Sequence, residues 1–399
     1  MKNTSKRNYR VFVLLALSLL FFEETLRLGL SSIYSRKGQL DTMEKGLFLN
    51  SSSAELNLDL ARVYHMLMQG DEKRVQALYV RSIELNPLLT SSWLGLTEVF
   101  LENGENEKAL ATLGRALELI PLSIGQLWEA SILALRLGSE AMALDSLRIV
   151  AKADPGRRER VFDVCWQLID DPELILNNVV SDEILPSYLN YLISKDKLDE
   201  TFPVWERIKR AGIVSDVNTF SYIEFLARKD KVPEAFSIWS EMFPNIKDDA
   251  LVWNGGFEND PLGRGFDWII NLIDGVSMDF DWKKKTKGVR SLRLEFDGKH
   301  NVDFYHVSQV IPVEPDTEYL LMSDVATQDI TTRNGIIWEA YCNNMMKATE
   351  PLTGTVDWKR IELSFVTPSG CRSVTLRLRR YKSEKFDRYI SGTAWVDDV

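Results

Sequence analysis

From Ala54 to about residue 245 the apolar residues of this chain recur every three or four positions; from Asp248 onward they alternate with polar ones. The first spacing is that of amphipathic helices, the second that of half-buried strands. The helical stretch also repeats. Pro87, Pro121 and Pro155 follow one another at steps of 34 residues, and Tyr188/Tyr222, Phe202/Phe236 and Trp205/Trp239 are each 34 apart. A period of this size marks a helix–turn–helix unit. One such unit cannot bury its apolar face alone, so units stack and leave a concave surface for partners.

The clearest unit runs from Ser91 to Pro121. Trp93, Leu96 and Phe100 share one face of a first helix, Asn103-Gly104-Glu105 makes the turn, and Ala109, Leu113 and Ala116 share a face of a second. Small residues at two of those positions let the helices approach closely. The preceding unit carries Leu60, Ala61, Tyr64, Tyr79, Ser82 and Pro87, with extra residues around Met68–Gly70; the following one carries Leu127, Ala143, Leu147, Val150 and Pro155. The stretch 156–187 breaks the register and reads as an irregular unit joining two blocks. This pattern resembles the tetratricopeptide repeat, with Thr97 standing where that family has a small Gly or Ala. Trp93, Trp128, Trp166, Trp205 and Trp239 read as inter-helix packing.

Period-two alternation is plain in Leu292, Leu294 and Phe296, in Ile361, Leu363 and Phe365, and in Val374, Leu376 and Leu378. About eight strands, separated by Gly, Pro, Asn and Asp clusters, predict an antiparallel β-sandwich. Asn254-Gly255-Gly256-Phe257-Glu258 opens this region and Gly392-Thr393-Ala394-Trp395-Val396-Asp397-Asp398-Val399 closes it. Together with the strand around Gly288–Leu294 and the segment Gln309–Tyr319, these motifs resemble the galactose-binding-like jelly rolls of the carbohydrate-binding modules. The resemblance implies that the opening and closing segments lie side by side and hold a structural calcium ion, with Glu258 and Asp397 as ligands. Alternation puts Asp397 on one face with Trp395 and Val399, expected to be the core face, where a carboxylate needs a partner. The alternative to calcium is a set of backbone N–H donors or an arginine.

A sugar face would need an aromatic platform and planar polar groups. The candidates are Tyr305, Trp338, Glu339, Tyr341, Arg377 and Arg379, with Glu339, Tyr341, Arg377 and Arg379 sharing one sheet face. The plainer alternative is a solvated outer face.

The N-terminus is basic at Lys2, Lys6, Arg7 and Arg10, then apolar over Val11–Phe22. It has no small-x-small cleavage site, and apolar residues resume at Leu26. This predicts an uncleaved signal-anchor holding the membrane through residues 11–30, with a cleaved signal peptide as the alternative; either way the rest of the chain is expected outside the cytoplasm.

At 399 residues the chain exceeds one ordinary core. A formal net charge of −10 argues against nucleic acid as a partner. Cys165, Cys342 and Cys371 have no CxxC spacing and there are only three histidines, so a zinc site is not expected. A bond between Cys342 and Cys371 is open, with two separate buried thiols the plainer reading. No motif of a known catalytic class is present.

The expected architecture is multidomain α + β: a membrane segment over 1–30, a linker containing a short helix over 31–53, an α-solenoid of helical hairpins over 54–245, and a jelly roll over 246–399. The two halves, joined by the short 246–250 segment, are expected to unfold separately. The expected function is that of a non-catalytic envelope scaffold, anchored in the inner membrane with its domains facing the periplasm or exterior. A protein partner would sit in the solenoid groove while the jelly roll contacts glycan or protein, an architecture similar to that of proteins in surface polysaccharide production or export. The alternatives are a glycan-recognition protein with the solenoid as spacer and, third, an enzyme accessory subunit.

Overall fold

The structure, a computed structural model, describes residues 2–36, 38–67, 72–119, 122–169, 171–244 and 251–399, with side chains from residue 17 onward. The chain divides into two compact units, Met1–Tyr191 with Pro203–Ala211, and Leu192–Phe202 with Gly212–Val399.

The first unit begins with α1 (Lys2–Arg36) and α2 (Leu40–Leu49). Three hairpins follow: α3 (Ala54–Leu67) with α4 (Glu72–Leu85), α5 (Thr90–Glu102) with α6 (Asn106–Glu118), and α7 (Ile124–Arg136) with α8 (Glu140–Ala153). The expected stripes form the core: Ala109, Leu113, Ala116, Ala143, Leu147 and Val150 are all fully buried. Ser123 and Gln126 close a capping box at the start of α7, satisfying donors that the first turn leaves open. α5 packs on both α3 and α7, so first helices of successive hairpins lie side by side. Thr97 is buried and returns its hydroxyl to Trp93 O at 2.9 Å, which disposes of its polar group at the position of the small residue.

The irregular stretch folds as α9 (Arg158–Leu168) and a short α10 (Pro172–Asn178), started by Asp171 as its cap. Phe162, Tyr188 and Tyr191 pack there ring on ring. The division between the units runs through α11 (Leu185–Ser194) and α12 (Leu198–Ala211). Of the five tryptophans read as packing, Trp205 and Trp239 are buried and Trp93, Trp128 and Trp166 are half-buried.

Two expectations for the N-terminal region change. The 31–53 linker carries the short helix expected of it, α2, but is packed rather than free: Ser31 Oγ donates to Gly46 O at 2.7 Å, and Met43 of α2 joins the core of α3–α5. Leu40, Met43 and Leu47 supply the apolar stripe for this. The membrane-spanning segment over residues 1–30 is not supported, since among the described residues no helix is long and apolar enough to cross a membrane. Glu23, Glu24 and Arg27 interrupt the apolar run within α1, with Arg27 paired to Glu24 at 3.2 Å.

The second unit carries α13 (Asp216–Arg228) and α14 (Val232–Met242), then ten strands: β1 (Ile269–Ile270), β2 (Val276–Asp281), β3 (Ser291–Asp297), β4 (Phe304–Pro312), β5 (Glu318–Ile330), β6 (Ile337–Cys342), β7 (Met345–Ala348), β8 (Gly354–Val366), β9 (Ser373–Arg380) and β10 (Ser391–Asp397). They form two five-stranded sheets, β1-β4-β9-β6-β7 and β2-β3-β10-β5-β8, with every pairing antiparallel. Leu292, Leu294, Phe296, Leu363, Phe365, Val374, Leu376 and Leu378 meet between them as the alternation requires. The opening and closing segments are adjacent, with Val399 N donating to Gly255 O at 3.1 Å.

The helical hairpin is part of this packing. Trp239 of α14 is fully buried, with its ring 5.9 Å from Trp253 and 6.0 Å from Phe266. Gly265 passes over it at φ +63°, where a Cβ would come within 2.5 Å of the indole.

Two further readings are corrected. On β10 the core residues are Ala394 and Val396, not Trp395 and Asp397. Trp395 and Asp397 point away from the inter-sheet core and are buried instead beneath the 283–289 loop, with Lys284 over the indole ring at 3.8 Å. Cys342 and Cys371 are bonded as a disulfide rather than standing as separate thiols, while Cys165 is free and buried.

Candidate functional site

In the first unit a groove of about 710 Å³ opens among α3, α4, α5 and α7. Its floor is apolar, with Val75 and Val99, and Met66 stands exposed at its rim. Its polar groups are Arg62, His65, Glu72, Glu98, Glu102, Asn103 and Glu129. Gly95 shapes it. Tyr79 comes from the outer helix α4, and a Cβ on Gly95 would lie 2.3 Å from its ring. Without that Cβ the phenol crosses α5 and lines the groove.

Two groove acids are paired, His65 Nε2 with Glu102 at 2.7 Å and Arg136 with Glu98 at 3.2 Å. Glu129 and the Tyr79 hydroxyl make no hydrogen bond among the described residues. Burial, reinforced by Glu98, Glu129 and Glu102, pushes the Tyr79 phenol up to about 12, so it is a donor at neutral pH. Burial also raises the Glu129 carboxyl, with Arg62 opposing and Glu98 reinforcing.

A raised folded-state pKa on an acid stabilises the fold only while the acid is protonated. The stabilisation is complete below the ordinary value of 4.5 and lost as pH rises through the folded value. Glu129→Gln is therefore expected to raise Tm at pH 7, with the gap closing towards pH 4. Thermal melts of both proteins across that range check it; an equal or lower Tm for the variant at pH 7 would contradict it.

On the second unit the expected sugar residues separate into two sets. Trp338 is buried in the inter-sheet core, 5.9 Å from Trp268, and is not available to a ligand. The other five are gathered on the outer face of β4-β9-β6. Glu339 and Arg377 are direct cross-strand partners. Glu339 is fully buried, accepting from Arg377 Nε at 2.6 Å on one oxygen and from the Tyr381 hydroxyl at 2.5 Å on the other. Arg377 lies over the Tyr341 ring at 4.5 Å, and Arg379 lies between Tyr381 and Tyr305, 4.0 and 5.4 Å from their centroids. Arg379 is also paired to Asp303 and donates to Phe304 O at 2.9 Å.

Both guanidiniums are thus held flat by rings and neutralised by carboxylates, leaving half-exposed Tyr305 and Tyr381 as the apolar platform. Tyr381 was missed from the sequence, although it continues the Arg377, Arg379 alternation by two. Its hydrogen bond to Glu339, with burial second, raises its pKa.

Glu258 and Asp397 both reach the 286–289 segment, but as hydrogen-bond acceptors. Asp397 Oδ2 accepts from Thr286 N at 2.7 Å, Thr286 Oγ1 at 2.9 Å and Lys287 N at 3.2 Å, and Oδ1 accepts from Asp398 N at 2.8 Å. Both Glu258 oxygens accept from Val289 N, at 3.1 and 2.9 Å. Among the described residues no group of three or more His, Cys, Asp or Glu could hold a metal ion. The carboxylates are satisfied by the chain's own donors, so this set does not by itself fit the calcium site that the resemblance implies. Asp397→Ala leaves those donors unpaired and is expected to cost about 2–3 kcal/mol. The loss should be equal with calcium and with chelator. A calcium-dependent rise in Tm that vanishes in Asp397→Ala would restore the ion.

No family model matches the chain. A 102-residue stretch, 25% of the chain, is 32% identical to General transcription factor 3C polypeptide 3 of Homo sapiens, and covers 11% of that protein. The chain thus spans about a tenth of the length of that curated relative. Among solved structures it is similar to YrrB, a TPR protein with an unusual peptide-binding site, at 13% identity over 52% of this chain and 95% of that one, TM-score 0.28. It is similar to the MamA protein at 14% identity over 52% of this chain and 94% of that one, TM-score 0.30. It is also similar to a CBM4 structure at 16% identity over 37% of this chain and 96% of that one, TM-score 0.27. At such TM-scores the fold assignment rests on the chain's own helix pairs and strand pairings.

Proposed function

We propose that this chain is a non-catalytic scaffold whose helical-hairpin unit holds a segment of a protein partner. The observation that carries this is the groove, which combines an apolar floor with two polar groups, Glu129 and the Tyr79 hydroxyl, that make no hydrogen bond among the described residues. An extended peptide has both backbone polar groups and side chains to offer such a surface. The test is selection of displayed random peptides on the full chain in detergent. Recovered peptides should crosslink to a photoreactive residue placed at exposed Met66. A selection that yields no peptide, or only peptides that crosslink elsewhere, overturns the proposal.

The outer sheet face supports a second reading, contact with a glycan. Tyr305 and Tyr381 offer flat apolar surface beside Arg377, as a jelly roll of the carbohydrate-binding kind would. Tyr305→Ala with Tyr381→Ala is expected to abolish any signal on an array of neutral oligosaccharides; an array with no signal for the parent chain ends this reading.

The envelope setting belongs to the same proposal. Leu17, Leu19, Leu20, Phe21, Phe22 and Leu26 of α1 are all more than half exposed and surround the helix, an apolar surface that water does not favour and a membrane or partner would cover. A disulfide persists in oxidising compartments, which agrees with a chain exported behind an N-terminal anchor. A part in surface polysaccharide production or export would join the groove and the sheet face in one task.

A further inference from the structure

We infer that the groove of the first unit selects a basic peptide segment, seating a lysine or arginine side chain beside Glu98 and Glu129 while the Tyr79 hydroxyl donates to a backbone carbonyl of that segment. This rests on the proposal that the groove binds peptide, and adds which peptide. Three observations carry it.

The first is charge. The groove lining holds four carboxylates, Glu72, Glu98, Glu102 and Glu129, against Arg62 and His65, with Arg136 paired to Glu98 at 3.2 Å, so the acids still outnumber the cations by four to three. An acidic segment entering this space would be repelled, and a neutral one would strip water from the acids and return nothing. A cation returns a charge-assisted hydrogen bond to each acid it reaches. The second is Glu129 itself, a half-buried carboxylate with no hydrogen bond among the described residues, which burial and Glu98 penalise and the charge of Arg62 only opposes. Its desolvation is a cost to the fold that an incoming ammonium or guanidinium would offset.

The third is Tyr79. It is 98% buried by its 2% exposure, its hydroxyl is unpartnered among the described residues, and the missing side chain at Gly95 lets it line the groove. A phenol of high pKa beside carboxylates is a donor without an acceptor, and a peptide carbonyl supplies one. A bare divalent cation is a poorer occupant, because among the described residues no three acidic, His or Cys side chains converge.

The experiment uses the full chain in detergent and three fluorescent peptides of alternating leucine with lysine, with glutamine or with glutamate. The lysine peptide should bind about tenfold or more tightly than the glutamine one, and the glutamate one not at all. Added salt should weaken the lysine peptide and leave the glutamine one unmoved. The double variant Glu98→Gln/Glu129→Gln keeps the shape of both side chains, and its melting curve confirms that it folds. It should erase the preference for lysine. Tyr79→Phe should weaken the lysine and glutamine peptides by the same factor, about threefold to tenfold, without changing their ratio. If the glutamine peptide crosslinks at Met66 as strongly as the lysine one, the charge selection is wrong and the peptide groove stands. If no peptide crosslinks at Met66, the groove reading itself falls and this inference with it.

Discussion

Trp239→Ala is expected to destabilise the second unit by about 3–5 kcal/mol, the range for emptying a fully buried aromatic site. The indole is 0% exposed and touches rings from both sides of the unit. Phe243 lies at 4.5 Å and Phe220 at 6.1 Å on the helical side, Trp253 at 5.9 Å and Phe266 at 6.0 Å on the side that leads into the sandwich. Removing it leaves a cavity that these rings cannot close together, because Phe220, Trp253 and Phe266 belong to different backbone segments. Denaturant unfolding followed by far-UV and near-UV signals measures the loss. A cost under about 1 kcal/mol would mean that the cluster repacks freely.

The same cluster bears on where the chain can be cut. Separate unfolding of a solenoid ending at 245 and a jelly roll starting at 246 assumed that a short connector was the only tie. The residues of that connector, 245–250, lie outside the described structure. On either side of it, however, α13 and α14 pack against the 253–266 segment, and Arg264 donates to Glu224 at 3.0 Å while lying over Phe220 at 4.4 Å. The hairpin therefore packs on the segment that opens the sandwich, and the two should melt as one transition. A fragment starting at residue 251 would expose Trp253 and Phe266, and its low solubility would follow from that exposure rather than from a misfolded sandwich.

Much of this architecture was legible because periodicity is a direct image of burial. The 34-residue step marks the regular hairpins, since it returns Ala109 to Ala143 and Ala116 to Val150, each at the same buried place in its hairpin. Alternation located the strands of the sandwich core for the same reason. Legibility failed where burial has a second source. Alternation puts Trp395 and Asp397 on one face with Val399, which reads as the core face, yet it is a loop from 283 to 289 that covers them, and a loop leaves no periodic mark. The Glu339–Arg377 pair was readable as a shared face, but its closure by Tyr381 depends on side-chain reach. In the groove, Gly95 passed as one more helix residue. Only the three-dimensional approach of Tyr79 shows that its missing side chain opens the site.

Reducing the Cys342–Cys371 bond is expected to lower the stability of the second unit by about 3–4 kcal/mol, the chain-entropy value for a closed loop of this size. The two cysteines are 29 positions apart in sequence, and the bond ties the end of β6 to the segment just before β9. Those two strands are direct neighbours, paired from Ile337↔Arg379 to Tyr341↔Thr375. The bond thus continues the ladder past its last pair and holds the β6–β7 edge, which otherwise has only a four-residue strand to protect it. It also steadies Glu339, Tyr341 and Arg377, so any ligand of that face should be lost on reduction before the unit unfolds. The third cysteine does not complicate the experiment. Burial pushes the Cys165 thiol up to about 12, which leaves almost no thiolate to attack the bond. Melting with and without reductant, for the parent chain and for Cys342→Ser/Cys371→Ser, gives the answer. Reductant should bring the parent down to the variant and leave the variant unmoved. A parent chain whose Tm ignores reductant at a concentration that exposes both thiols to labelling would show that the strand pairing, and not the bond, holds that edge.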